Sequence, residues 1–292
     1  MAGNLGLSLG RSLPVPNVQA LVDAAGGDLP VIPGRYIRPE MEEEPIETAG
    51  GATEKIPVVD LGKLLGDARL SRAEEAAKLR SACEDWGFFQ LVNHGVPEEV
   101  MGRMAAALEG FFAQTLEEKM ASSKQPEGSV EGYGQAFVVS EEQKLDWADI
   151  LHLFTQPPHL RNLALWPTHP SNFRATLEEY SVEMRRVALC LLGCMADNLG
   201  LHPEKLAGSF TEGSQSVRMN YYPPCRHHAD RVLGLAPHSD GVGLTLLFQA
   251  STVPGLQIRR HGKWLAVEPL PGALVVNIGD ILEVINICSV QM

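Results

Sequence analysis

The chain has 292 residues, 45% of them hydrophobic, and a formal net charge of −12. It is long enough for one large core or two smaller ones. The negative charge argues against binding a phosphate backbone or an anionic membrane surface, so neither nucleic acid nor membrane is expected as a partner. No run of about 18 uninterrupted apolar residues offers a membrane span. The opening "MAGNLGLSLGRSLPVPNVQA" lacks the basic start and long apolar core of a secretory leader. The cysteines (Cys83, Cys190, Cys194, Cys225 and Cys288) are odd in number and mostly sit in apolar segments. They read as reduced thiols of a cytoplasmic protein. Cys190 and Cys194 are one helical turn apart, but no second pair lies nearby to complete a metal site.

Residues 1–55 read as a tail and linker with one small helix around "VPNVQALVDAA" and an acidic stretch, "MEEEPIETAGGATEK". "IPVVDL" (56–61) is expected as a short buried strand. In 71–86, Ser71 and Glu74 have the spacing of a capping box ahead of a helix. "GFFQLVNHG" (87–95) reads as a strand ended by a turn, 97–114 as a helix, and 121–135 as a polar loop. Residues 173–201 form a long amphipathic helix with Gly200 near its end. After Gly213 the pattern changes. "SVRMNYY", "RVLGLAPHSD", "LTLLFQ", "GLQIRR", "KWLAVEPL", "ALVVNI" and "ILEVINICSV" are short apolar or alternating runs split by turn residues. They suggest a sandwich or barrel. The expected organisation is an N-terminal domain over 56–170, a long helix and connection over 171–212, and a β-rich domain over 213–292.

The β-rich half carries "APHSDGVGLTLLFQ" (236–249), in which His238 and Asp240 stand two apart. On a strand, such residues share a face. One imidazole and one carboxylate are two thirds of the facial set that binds non-haem Fe(II) and leaves adjacent positions open. The bland alternative is a pair of turn residues bonded locally. "RHHADR" repeats the spacing with His228 and Asp230, but in a charged stretch that reads as a solvated loop.

Five stretches now occur in order: "WGFFQLVNHGV" (86–96), "MNYYPPC" (219–225), "LGLAPHSDGVGLTLLFQ" (233–249), "PGLQI" (254–258) and "GDILEV" (279–284). Together they resemble the plant family of 2-oxoglutarate- and Fe(II)-dependent dioxygenases, from Ile56 to about Val284. "VQALVDAAGGDLPVIPGRYIRP" and "EGYGQAFVVSEEQKLDWAD" (131–149) are similar to its norcoclaurine-synthase-like and codeine O-demethylase-like branch. The resemblance implies an α+β fold with a double-stranded β-helix (jelly-roll) core behind an N-terminal helical segment. It implies Fe(II), 2-oxoglutarate and O2, with ascorbate as reductant, acting on a small-molecule substrate by hydroxylation, O-demethylation or desaturation. His238 and Asp240 match iron ligands. Asn220 and Tyr222 match positions near 2-oxoglutarate. Arg218, Tyr133 and Phe137 match positions near the substrate. Tyr221 and Tyr222 also fit ordinary alternating strand aromatics. His94 reads as structural, and Trp86, Phe88 and Phe89 as core.

The family pattern has a second His roughly 55 residues after the Asp, followed by an Arg-x-Ser suited to pairing bidentately with a carboxylate. Here the only later histidine is His261, in the hairpin context "RRHGKW", and "GDILEV" is followed by "INICSVQM". The sequence therefore reads as C-terminally truncated, with the last two core strands missing. That leaves a non-catalytic product as the alternative to an active oxygenase.

Overall fold

The structure is a computed structural model that describes residues 13–39, 55–123, 130–135 and 138–284. In chain order the main elements are α1 (Val18–Ala24), β1 (Val58–Asp60), α2 (Leu61–Leu65), α3 (Arg69–Ser81), β2 (Phe88–Val92), α4 (Glu98–Phe112), α5 (Leu116–Met120), β3 (Gly132–Tyr133) and β4 (Asp149–Gln156). They continue as α6 (Phe173–Asn198), α7 (Glu204–Thr211), β5 (Gln215–Tyr221), β6 (Leu244–Leu247), β7 (Gln257–Arg260), β8 (Lys263–Ala266) and β9 (Leu274–Ile278). Residues 280–284 are helical. Among the described residues, no helix is long and apolar enough to cross a membrane.

Two compact units divide the chain, each built from separate segments. The first draws on described residues within Met1–Glu44, Arg103–Ser181 and Ser214–Pro237. Its sheet runs β3-β4-β5, antiparallel throughout. The apolar face of α1, through Val18 and Val22, packs with Ile32, Tyr36, Val138, Leu145 and Trp147. Two independent anchors hold α1 there. Asn17 caps its start by accepting from the Ala20 N–H at 2.8 Å. The buried Asp149 of β4 accepts from the Val18 and Gln19 N–H groups at 2.9 and 2.8 Å.

The second unit draws on Pro45–Gly102, Val182–Gly213 and His238–Met292, again through their described residues. Its four-stranded sheet has the order β1-β2-β9-β6. β1 pairs parallel to β2, and β9 lies antiparallel to both β2 and β6. Phe89, Leu91, Leu274 and Val276 are fully buried, which fits central strands of continuous apolar character. The β7–β8 hairpin joins this sheet through Ile258, Leu265 and Val267, which pack with Ile56 and Val275. Trp86 and Phe88 pack against the same cluster, so the "WGFF" aromatics act as core here.

The helices follow their apolar spacing. Phe173, Leu177, Tyr180, Met184, Val187, Leu191 and Met195 recur every three or four residues along α6, and all are buried. The left-handed Gly200 (φ 69°) follows the end of that helix. Four expectations change. The helix expected near Ser71 begins at Arg69, with Ala68 at its cap and no side-chain cap bond. A capping box does form elsewhere, between Thr115 and Glu118 at the start of α5. "IPVVDL" is a strand only over Val58–Asp60, and Val58 faces out while Val59 is buried.

"RVLGLAPHSD" is not a strand. Its backbone bonds to separate partners: Leu233 O accepts from the Trp147 N–H, and the Ala236 N–H donates to the Asp146 carboxylate. "ILEVINICSV" opens as a helix rather than a strand, and its 285–290 portion lies outside the described residues.

Candidate metal and co-substrate site

His238 and Asp240 lie in irregular backbone just before β6, so strand alternation is not what brings them together. The loop is pinned from below by the turn after β9. The Gly279 N–H donates to Gly243 O at 2.9 Å, the Asp280 N–H to Asp240 O at 2.9 Å, and the Ile281 N–H to Val242 O at 3.2 Å. Ser239 adds a hydroxyl bond to the Asp280 carboxylate at 3.2 Å. The loop is also tight from the side of α7, because a Cβ on Gly243 would sit 2.5 Å from the Phe210 ring. The motif "GDILEV" thus has a local task, which is to hold the His-x-Asp loop.

Within that loop, His238 Nε2 stands 3.4 Å from Asp240 Oδ1. The other carboxylate oxygen, Oδ2, accepts from the Thr245 hydroxyl at 2.7 Å and the Asn277 amide at 2.8 Å. The His238 imidazole first, then the Asn277 and Thr245 donors, hold the Asp240 carboxyl far below the usual carboxylate range, overcoming its desolvation.

This donor set fits a divalent first-row ion. Two ligands at about 2.1 Å in adjacent positions of one ion stand about 3 Å apart, close to the separation found. A neutral imidazole with a carboxylate suits Fe(II), and no thiolate is present. Among the described residues, no third His, Cys, Asp or Glu gathers on the pair. His261 is exposed in the β7–β8 turn, left-handed at φ 49°. His228 and Asp230 are exposed as expected, but at a single 3-10 turn (Ala229–Arg231, with His228 at its cap) rather than in a plain loop. His94 is structural: its Nε2 is 2.9 Å from Gly272 O, and its Nδ1 accepts from the Val96 N–H.

The other expected site residues belong to the first unit. Arg218 and Asn220 are i and i+2 on β5, and Arg218 Nε donates to Asn220 Oδ1 at 3.0 Å. This bond fixes the amide, leaving its N–H2 end as a donor. Tyr222 is half exposed just beyond the strand, and its ring lies so close over Gly234 that a Cβ there would be 2.6 Å away. A side chain at 234 would displace the ring, which explains that glycine. Its neighbour Tyr221 stacks on Phe112 at 5.2 Å, so the two tyrosines do part in environment.

Tyr133 is buried rather than held on an open loop. Its hydroxyl accepts from Asn17, and Phe111 packs edge-on against its ring. Phe137 lies outside the described residues.

Thr245 and Asn277 were not singled out from the sequence. A signal for one was present: Asn277 is a polar residue inside the apolar run "ALVVNI", and a buried polar group implies a partner.

Two family models match the chain. The non-haem dioxygenase in morphine synthesis N-terminal model covers residues 56–169, and the 2OG-Fe(II) oxygenase superfamily model covers 213–287. The chain is 49% identical to 2-oxoglutarate-dependent dioxygenase 11 of Oryza sativa subsp. japonica, over 94% of this chain and 76% of that protein. It is 49% identical to S-norcoclaurine synthase 1 of Coptis japonica, over 98% of this chain and 78% of that protein. The crystal structure of JOX2 in complex with 2OG, Fe and JA superposes with a TM-score of 0.82 at 34% identity, covering 95% of this chain and 77% of that one. The α+β jelly-roll class expected from the motifs is therefore the fold of this chain.

Proposed function

Because this chain belongs to the 2-oxoglutarate- and Fe(II)-dependent oxygenases of plants, we propose that it oxidises a small specialised metabolite with 2-oxoglutarate and O2 as co-substrates. The outcome is a hydroxylation, O-demethylation or desaturation. The observation that carries this reading is the Asp240 carboxylate, with one oxygen tied to two donors and the other turned to His238 at 3.4 Å.

His238 and Asp240 are the residues that would hold the iron. When bound, the iron supplies the oxidising chemistry, coupling conversion of 2-oxoglutarate to succinate and CO2 to oxidation of the substrate. Ascorbate serves to keep it ferrous. Asn220, its amide turned by Arg218, and the Tyr222 phenol serve as hydrogen-bond donors to the carboxylates of 2-oxoglutarate. Tyr133 contributes its packed ring rather than its hydroxyl, which Asn17 already engages. Phe137 completes the set of substrate-side residues in this reading.

The purified chain, given Fe(II), 2-oxoglutarate and ascorbate in air, is expected to form succinate above the level of a His238→Ala control. Equal succinate from both proteins would overturn the oxygenase reading and leave a non-catalytic role.

A further inference from the structure

Asp240 is oriented by the sheet beneath it, not only by its own loop. Thr245 on β6 and Asn277 on β9 are directly opposed in the antiparallel register. Both donate to the same atom, Oδ2 of Asp240, at 2.7 and 2.8 Å. A carboxylate oxygen offers two in-plane lone pairs, and two donors consume them. Oδ1 is left facing His238. Asp240 O is also fixed, by the Asp280 N–H.

Resting on the iron-site reading above, we infer that Thr245 and Asn277 form a cross-strand clamp that makes Asp240 a ligand through Oδ1 alone. The consequence is chemical. A carboxylate that chelated with both oxygens would take a further position on the metal, and the reaction needs its open positions for co-substrates. Groups behind a ligand set its orientation and basicity, and their removal costs roughly tenfold to a hundredfold in metal affinity. Thr245 and Asn277 are thus positioning residues, acting on the metal only through Asp240. The register ties this to the fold: a slip of one residue between β6 and β9 would turn one of the two donors to the opposite face.

The test uses Co(II) as an optically visible stand-in for Fe(II), titrated into the full chain and its variants, with d–d absorption reporting both affinity and coordination. Thr245→Val keeps the shape and loses the hydroxyl. It is expected to weaken Co(II) binding roughly tenfold or more and to alter the absorption bands. Thr245→Ser restores the donor and is expected to recover wild-type binding and bands. Asn277→Leu gives the same loss from the other strand if Thr245→Val folds poorly, as judged by thermal unfolding without metal. Wild-type affinity and bands in both Thr245→Val and Asn277→Leu would overturn the clamp. So would a Thr245→Ser protein as impaired as Thr245→Val, because the role would then be packing. His238→Ala separates the two levels. If it binds Co(II) as wild type does, the iron-site reading itself falls, and the clamp with it. If it loses binding while the clamp variants do not, only the clamp falls.

Discussion

Gly279→Ala is expected to lower the apparent melting temperature by about 10 °C and to abolish the metal binding proposed for His238 and Asp240, although residue 279 is no proposed ligand. A Cβ at this position would fall inside the Val242 carbonyl oxygen and lie 2.9 Å from the Asp240 carbonyl oxygen. Both obstacles are backbone, so no side chain can rotate away to make room. The 240–243 loop must instead lift off the turn after β9, and three N–H···O bonds from residues 279–281 are lost or stretched. Overpacking against an unyielding neighbour costs ~1–3 kcal/mol, and each lost bond adds about 1 kcal/mol. A total of about 4 kcal/mol in a chain of this size corresponds to the shift given above. Gly241 provides an internal control, since a Cβ there meets nothing within 4 Å. Gly241→Ala is expected to melt like wild type. Thermal unfolding followed by circular dichroism, with Co(II) titration on the same samples, decides the matter. A Gly279→Ala protein with wild-type melting and binding would show that the turn does not carry the loop.

What could be read from the sequence, and what could not, divides along a physical line. Local periodicity was legible. The buried apolar stripe of α6 from Phe173 to Met195 and the apolar runs of β2, β6 and β9 appear where their spacing places them. The family was legible as well, through the five motifs in order, and the His-x-Asp pair stood out as the candidate that those motifs frame.

The reason for its geometry was not. Strand alternation would have brought His238 and Asp240 together, whereas a loop does so, held by N–H groups some 40 residues further along. Register is a property of two strands at once, so the facing of Thr245 and Asn277 could not be read from either strand alone. "RVLGLAPHSD" illustrates the same limit from the other side. Its composition permits a strand, but Trp147 and Asp146 take its backbone groups one by one. Tyr133 lies in a glycine-rich stretch that reads as loop, and burial beneath Phe111 and Phe112 is a tertiary outcome.

Removing the Asp149 carboxylate is the second large effect, and it acts on the first unit. Asp149 is buried, and its two oxygens accept from the first two N–H groups of α1. Nearby Lys119 is also buried, donating to Gln19 and to Phe112 O. Asp149→Ala strands two N–H donors and leaves the Lys119 ammonium without its neighbouring negative charge. Breaking such an arrangement costs roughly 3–5 kcal/mol when the charges touch. Because Lys119 and Asp149 act here through Gln19 rather than by direct contact, about 3 kcal/mol is expected, with α1 becoming the preferred site of limited proteolysis.

The pH dependence has a definite sign. Burial is the main influence on the Asp149 carboxyl and holds its pKa above the ordinary value, against the Gln19 and Val18 N–H groups. A group raised in the folded state binds its proton more tightly there than in the unfolded chain. Its stabilising contribution is therefore full below the unfolded value and is lost as pH rises through the folded one. Asp149→Asn keeps one acceptor and removes the titration. The melting-temperature advantage of wild type over Asp149→Asn should then shrink as pH rises from about 3 towards neutrality. An advantage that grows over that range would mean that the α1 N–H groups outweigh burial, and that the ionised carboxylate is the form this anchor prefers.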